Sequence, residues 1–427
     1  MQVSFQKISE EICLPYWVMG CFRQKVIMTI DYNPYSPKFW KDRWTIYKQL
    51  RDDDPVHCME DFGGAWALSR FEDIWDAHLN SYKDYTSIFG TSPPPLLLGE
   101  DSGPGHVSIP TMDGQDHRDY RNTIANRYTQ PSVSKMEKNI RQLTRDLIKP
   151  ALKIGKLDIH EVARRVALFT VADMIGIDRE VALKARHFID IFYERDPDVV
   201  GVTPRGEEAF GQVMGLLIQM AEKWRKNVPP SPSHIEAWIN KQVRDDTWMT
   251  DEQIVGNTGM LIITGSDTVP NNIANLFFYL NQHPDQLKII REDFSFIPKA
   301  FEECVRFDHP TNILGRKLAK DMDLHGKKMK KGDSVIYLYQ SAGRDEREFE
   351  SPDLFDITRP TPPRNLNFGH GPHKCLGHHL AKMEGRIIIE EILNAIPDFV
   401  LIENEAKRMF GEFLQGYIKM PIEFDPS

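Results

Sequence analysis

Two stretches of the chain carry residue types that could do chemistry. The first is Phe368-Gly-His-Gly-Pro-His-Lys-Cys-Leu-Gly377, in which Cys375 stands among glycines at 369, 371 and 377. Glycines let a backbone wrap tightly around one sulfur, in conformations a side chain would forbid. Leu376, Leu380, Met383 and Ile387 then recur at helical spacing, so a helix is predicted to start directly after the cysteine. A cysteine at a helix N-terminus faces free N–H groups and a positive dipole end, which favour the thiolate. Such a loop is suited to hold an anionic sulfur against something flat and electron-deficient. Two plainer readings exist. A lone cysteine is often just a small hydrophobe. A zinc half-site with His378 or His379 is conceivable, but no second Cys/His pair stands at zinc spacing.

The second stretch is Thr264-Gly-Ser-Asp-Thr-Val-Pro270, inside a helix predicted from Thr250, which forms a capping box with Gln253, to about Gln282. Gly265 and Pro270 in a helix interior cost about 1 and about 3 kcal/mol respectively. Pro270 has no N–H for the Ser266 carbonyl, so the local ladder is expected to open. An accidental kink is the bland explanation. The functional one is a groove with free polar groups beside a bound small molecule, with Asp267 and Thr268 as an acid–alcohol pair.

The elements that must position these stretches are largely helical. Trp40, Trp44 and Tyr47 mark an amphipathic helix ending near Arg51. Short strands and a Gly63-Gly64 turn follow between Val56 and Leu68, and Ser69-Arg-Phe-Glu72 reads as a capping box. Residues 87–113 read as loop, with Leu96–Leu98 inside a proline-rich run that must be buried against something. Apolar stripes at Met136/Ile140/Leu143/Leu147, Ile159/Val162/Val166 and Phe210/Met214/Leu217/Ala221/Trp224 are core faces of further helices. The stretch 227–233, Asn-Val-Pro-Pro-Ser-Pro-Ser, reads as an interhelical loop. A shorter helix over Pro298–Phe307 carries Glu303 and Arg306 on one face, and a strand-rich region runs from Lys317 to Tyr339.

Composition sets bounds. At 427 residues of ordinary globular make-up, a large core is available. A net charge of −9 argues against nucleic-acid binding. Five cysteines without a C-x-x-C pair suit a reducing, cytoplasmic setting. The run Ile12–Phe22 is broken by Pro15 and Gly20 and is shorter than the ~20 residues a membrane span needs, so no membrane anchor is expected. Residues 1–27 are read as an extension outside the fold, and 28–427 as one domain.

The F-x-x-G-x-H-x-C-x-G loop resembles the haem-binding loop of the cytochrome P450 superfamily, in its soluble bacterial form, over roughly Met28 to the C-terminus. The resemblance implies a mainly α fold with a smaller β region (α+β), with haem between the long oxygen-binding helix and the cysteine-loop helix. It implies that Cys375 is the axial thiolate of haem b, an iron protoporphyrin IX. Phe368 packs on the sulfur side, Gly377 closes the loop, and His117, Arg121, Arg316 and His373 meet the haem propionates. Gly265 belongs to the family's oxygen-binding motif, and Thr264 stands where the family has Ala or Gly. Glu303 and Arg306 match a structural pair that locks a core network.

The same resemblance implies a reaction and its partners. The enzyme would be an O2-dependent monooxygenase, inserting one oxygen atom into a C–H bond by hydroxylation or oxidative O-demethylation. Asp267 relays protons and Thr268 delivers them. Met260, Ile263, Thr264, Thr311, Asn312, Ile313, Leu314, Phe413 and Leu414 would line a largely apolar pocket for a small to medium organic substrate. Electrons would come from NAD(P)H through a reductase and an iron–sulfur ferredoxin, because no flavin or iron–sulfur motif is present. A basic cluster of His373, Lys374, His378, His379, Lys382 and Arg386, with Arg118 and Arg127, reads as the docking patch of a monomeric enzyme. The competing classes are a peroxide-driven peroxygenase and a non-catalytic haem sensor or carrier.

Overall fold

The computed structural model describes residues 30–99, 107–196 and 199–426. The expected extension at 1–27 lies outside them. Along the chain the α-helices are α1 (Pro37–Asp53), α2 (Phe71–Leu79), α3 (Pro93–Leu97), α4 (Gly114–Ala125), α5 (Gln130–Ser134), α6 (Glu137–Leu152), α7 (Ile159–Ile175) and α8 (Arg179–Phe192). They continue as α9 (Pro204–Lys226), α10 (His234–Asn240), α11 (Asp251–Gln282), α12 (Pro284–Glu292), α13 (Ile297–Phe307), α14 (Tyr339–Ala342) and α15 (His378–Ala395).

The strands are fewer and shorter. One sheet has the order β1 (Val56–Met59), β2 (Ala65–Leu68), β8 (Ser334–Leu338), β5 (Ile313–Leu318) and β3 (Tyr85–Thr86), with β2 and β8 parallel and the other pairs antiparallel. Three small sheets pair β4 (Lys156–Asp158) and β9 (Val400–Leu401) with β12 (Pro421–Glu423), β6 (Met322–Leu324) with β7 (Lys327–Met329), and β10 (Lys407–Phe410) with β11 (Gln415–Lys419). This is the α+β architecture the sequence predicts.

The largest core wraps α11, which is buried along most of its length and runs against α7, α9, α13 and β11. Its start is the predicted one: the Thr250 hydroxyl accepts from the Gln253 N–H while the Gln253 side chain accepts from the Thr250 N–H. Its middle is not. The helix runs unbroken through Gly265 and Pro270, so the ladder does not part into a groove. Packing on both sides holds the turn that Pro270 weakens. Gly265 serves that packing, because a Cβ there would stand 2.9 Å from Val171 Cγ2 of α7. Gly265 therefore sits at a close crossing of α11 and α7.

Three smaller expectations also change. No side chain caps α2: the Ser69 hydroxyl donates to the Pro55 carbonyl, and Phe71 opens the helix with its N–H on Asp345. The 87–113 stretch holds α3, whose prolines stand in the first turn where a missing N–H does no harm. Leu96 and Leu97 pack into the cluster built by α1 and the large sheet. On α6 the fully buried line is Ile140, Thr144 and Ile148, with Leu143 and Leu147 beside it.

Candidate active site

Cys375 lies in a loop that a short backbone ladder closes. Its N–H donates to the Phe368 carbonyl at 2.8 Å, and the Gly369 and Lys374 N–H groups close turns onto Leu366 and Gly371 at 2.9 and 3.1 Å. Gly369 and Gly371 have φ of +66° and +65°, and a Cβ on Gly371 would collide with the His78 carbonyl. The helix α15 begins at His378 with Gly377 as its cap, three residues beyond the sulfur. The dipole is therefore not the leading influence on the thiol. Burial pushes the Cys375 pKa up, while the Gly377 N–H, Arg121 and Lys374 draw it back only in part. Cys375 is nonetheless exposed as a residue, and a Cβ at the neighbouring Gly377 would meet nothing within 4 Å.

One flank of the loop gathers donors that find no acceptor in the protein. His117 is buried, with Nδ1 hydrogen-bonded to the Tyr82 hydroxyl and Nε2 left without a partner. Arg316 is buried on β5, with Nη1 on the Gly315 carbonyl at 2.6 Å and Nε unpartnered. The His117 and His373 rings lie 4.1 Å apart. His373 Nε2 reaches the Ser87 hydroxyl at 3.2 Å and Asp113 at 3.7 Å. Arg121 on α4 donates to the Lys374 carbonyl of the cysteine loop at 2.6 Å. Burial, followed by neighbouring positive charges, depresses His117 to about 3, and burial depresses His373 to about 4, so both are neutral.

Four contributors here were not predicted: Tyr82, Asp113, His78 and Tyr339. His78 bonds Tyr339 through Nε2 at 2.9 Å, leaves Nδ1 unpartnered, and touches the Gly369 position. Nothing local in the sequence marks them.

The opposite wall is α11. Thr264 is exposed and Thr268 half-buried, one turn apart on one face, although both lie inside the fold. The Thr264 hydroxyl donates to the Met260 carbonyl at 2.9 Å, and that of Thr268 reaches the Thr264 carbonyl at 3.5 Å. Asp267 points away from them toward α8, where Arg186 Nη1 donates to its Oδ1 at 2.5 Å. Its Oδ2 is buried without a partner. Burial raises the Asp267 pKa and outweighs Arg186, which pulls it down.

The remaining expected residues divide. Met260, Ile263, Leu314 and Phe413 are partly exposed around the core. Asn312, Ile313 and Leu414 are buried. Asn312 is spent as a clamp: its Oδ1 accepts from Tyr47 at 2.9 Å, its Nδ2 donates to the Glu412 carbonyl at 3.3 Å and its N–H to that of Phe413 at 2.8 Å. Ile313 packs with α1 and α3. Glu303 and Arg306 form the expected pair with two 2.7 Å contacts, and Arg306 also ties down the carbonyls of Gly343, Pro352 and Leu354.

The basic cluster is weaker than its count. Lys382 pairs with Glu302 at 2.8 Å, Arg386 with Glu137 at 2.8 Å and Arg127 with Glu236 at 3.4 Å. Burial lowers the pKa of both His378 and His379, against a pull upward on His378 from the Cys375 carbonyl and with Lys382 adding to the fall at His379. No helix among the described residues is long and apolar enough to cross a membrane.

Known proteins resemble this chain in sequence and in fold. A cytochrome P450 family model matches residues 203–397. Cytochrome P450(BM-1) of Priestia megaterium is 30% identical over 372 residues, 84% of this chain and 88% of that protein. The chain belongs to the cytochrome P450 family. The vitamin D(3) 25-hydroxylase of Pseudonocardia autotrophica is 28% identical over 413 residues, 93% of the chain and 98% of that protein. The crystal structure of P450BioI with a hexadecenoic acid-ligated acyl carrier protein superposes with a TM-score of 0.78 at 25% identity, over 92% of this chain and 100% of that one.

As a P450 the protein is a haem monooxygenase that uses O2, and the residues present fit that group. Buried donors without protein acceptors, at His117, Arg316 and His78, suit the two carboxylates of a haem. An exposed thiol on a loop turned by Gly369 and Gly371 suits a metal, which deprotonates a coordinating thiol outright.

Proposed function

We propose that the protein is a ferredoxin-driven P450 that oxidises a C–H bond of a small to medium, largely apolar molecule, with Cys375 as the axial ligand of haem b. The single observation that carries this reading is an exposed Cys375 on a glycine-shaped loop beside buried, unpartnered donors at His117, Arg316 and His78. Bound haem, supplied with O2 and two electrons, provides the oxidant that inserts one oxygen atom into hydroxylation or O-demethylation substrates.

The chain's own residues supply the rest. His117, Arg121, Arg316 and His373 bind and orient the carboxylates, Phe368 and Gly377 shape the sulfur side, and Met260, Ile263, Thr264, Leu314 and Phe413 exclude water above α11. Asp267 and Thr268 are the acid and the alcohol assigned to proton delivery, Thr268 at the half-buried face of α11 and Asp267 behind it on Arg186. With Asn312 spent as a clamp, Thr264 and Thr311 are what remain of the expected polar handles, which favours an apolar substrate. The electron donor is an acidic ferredoxin, reduced by NAD(P)H through its reductase in the cytoplasm, docking around Lys374.

Two measurements test this. The reduced carbon monoxide complex of the wild type should show the red-shifted thiolate Soret band, and Cys375→Ser should lose it; retention of the band in the variant would make another residue the ligand. Thr268→Ala should divert NADH consumption from product to hydrogen peroxide. An unchanged product yield per NADH would sink the oxygen-activation role, and indifference together with peroxide-supported turnover would point to a peroxygenase.

A further inference from the structure

The chain after α8 and the tip of the β10–β11 hairpin meet at a pair of charges that has no part in the proposed function. Arg195 presents a fork to Glu412, with Nε on Oε2 at 3.1 Å and Nη2 on Oε1 at 2.7 Å. The Glu412 side chain is 2% exposed and that of Arg195 19%. The third Arg195 nitrogen, Nη1, donates to the carbonyls of Phe192 and Glu194 at 2.9 and 3.1 Å. All three guanidinium nitrogens are thus engaged, and Arg195 anchors the end of α8 to the hairpin tip. A buried carboxylate that loses its only cation is strongly destabilised, so the two segments move together. The neighbouring pair Arg205–Glu194 is different: its side chains are 69% and 53% exposed, and it is worth little.

The residues beside the pair face the site. Next to Arg195, the Tyr193 ring lies nearly parallel to that of Phe413, centroids 6.3 Å apart. Burial, then the Asp267 carboxylate, raises the Tyr193 pKa, and Arg186, Arg195 and Glu412 act on the same hydroxyl, so both ion pairs lie around this one ring. From the other side the hairpin tip is fixed: Asn312 holds the carbonyls of Glu412 and Phe413, and Leu414 bridges Thr311. Phe413 is therefore gripped between the Asn312 clamp and a charge fork from the chain just after α8.

We infer that Arg195 and Glu412 are a positioning pair that holds Phe413 against Tyr193 and thereby sets the size of molecule admitted beside Thr264 and Thr268. This rests on the proposed function, in which that face of α11 is where the substrate lies. The pair touches no reacting atom and acts through Phe413. Its loss lets the wall retreat and admits bulkier ligands, while leaving the space nearest Cys375 as it was.

The test uses the haem-loaded full chain and two azoles, imidazole as the small probe and clotrimazole as the bulky one, with dissociation constants read from the Soret shift. Glu412→Gln and Phe413→Ala should each shift the ratio of the two constants by about tenfold in favour of clotrimazole, with imidazole binding unaltered. The double variant should go no further than Phe413→Ala alone, because both changes remove the same wall. If Glu412→Gln does not fold, Arg195→Lys keeps the charge, loses the fork and should move the ratio the same way. A wild-type ratio in Glu412→Gln beside a shifted one in Phe413→Ala overturns the pair and leaves the pocket reading intact. So does a double variant whose effect is the product of the singles. A ratio unmoved by Phe413→Ala overturns the pocket reading itself, and the pair with it. A chain that takes up haem but shows no azole-induced shift overturns the haem-site reading.

Discussion

Arg186 of α8 and Asp267 of α11, 81 positions apart, form a buried ion pair at 2.5 Å in which only one carboxylate oxygen is used. Arg186 is itself shared with Asp190 and the Ser266 hydroxyl. The acid of the helix is thus held from outside the site, and its free oxygen stays in a dry environment that raises its pKa.

Replacing Arg186 by Met should destabilise the fold by about 3–5 kcal/mol, because a carboxylate is left buried without its cation. The same loss lifts the Asp267 pKa further, so any pH-rate limb set by that carboxyl should move to higher pH. Urea unfolding of Arg186→Met against the Arg186→Met/Asp267→Asn double variant checks this. The double should recover much of the loss, and a double no more stable than the single would assign the cost to packing rather than charge.

The parts of the site that were legible in the sequence are the local ones. The Thr250–Gln253 cap, the tight turns at Gly369 and Gly371, and the Glu303–Arg306 pair depend on neighbours within a few positions. What failed depends on distant partners. Asn312 looked free to meet a substrate, but Tyr47, 265 positions earlier, occupies its side chain. His78 carried no signal, because its partner Tyr339 lies 261 positions away. Gly265 and Pro270 suggested an opened helix, yet the contacts of α11 with α7 and α9 outweigh about 4 kcal/mol of summed propensity. The basic patch looked stronger in sequence because Glu137 and Glu302 come from other helices.

Gly265→Ala offers a direct check on the helix crossing. In an exposed helix the change should stabilise by about 1 kcal/mol. Here the new methyl stands 2.9 Å from a β-branched side chain with little freedom to turn, so a net loss of about 1–3 kcal/mol is expected. Gly265→Ala/Val171→Ala should be more stable than the two single losses would sum to. A stabilised single variant would show that α7 yields at this point.

His234 of α10 is a buried histidine whose two ring nitrogens both lack partners, stacked 5.4 Å from Tyr128. Burial, then Arg127, depresses its pKa to about 3. The unfolded chain binds the proton near pH 6.5 and the folded one does not. Stability therefore falls as pH drops from about 6.5 to about 3, by about 1.4 kcal/mol per unit for this group. His234→Phe should fold and should lose less stability than the wild type between pH 6.5 and pH 5 in chemical unfolding. Equal slopes would mean that the ring already finds a proton acceptor.

Glu384 gives the opposite sign. It stands on α15 beside Thr170, with one carboxyl oxygen buried and unpartnered. Burial lifts its pKa to about 8, against a weaker pull from Thr170. Between the ordinary value of 4.5 and about 8 the folded protein keeps a proton that the unfolded chain releases. Stability due to this group is fully present below the lower value. It declines as pH rises through the window, by about 1.4 kcal/mol per unit. Glu384→Gln keeps the shape and cannot ionise, so it should be more stable than the wild type at pH 8 and nearly equal to it at pH 5. The comparison also fixes the charge state beneath the cysteine helix. A variant with no advantage at pH 8 would mean that Glu384 is ionised in the folded protein and has found a partner there.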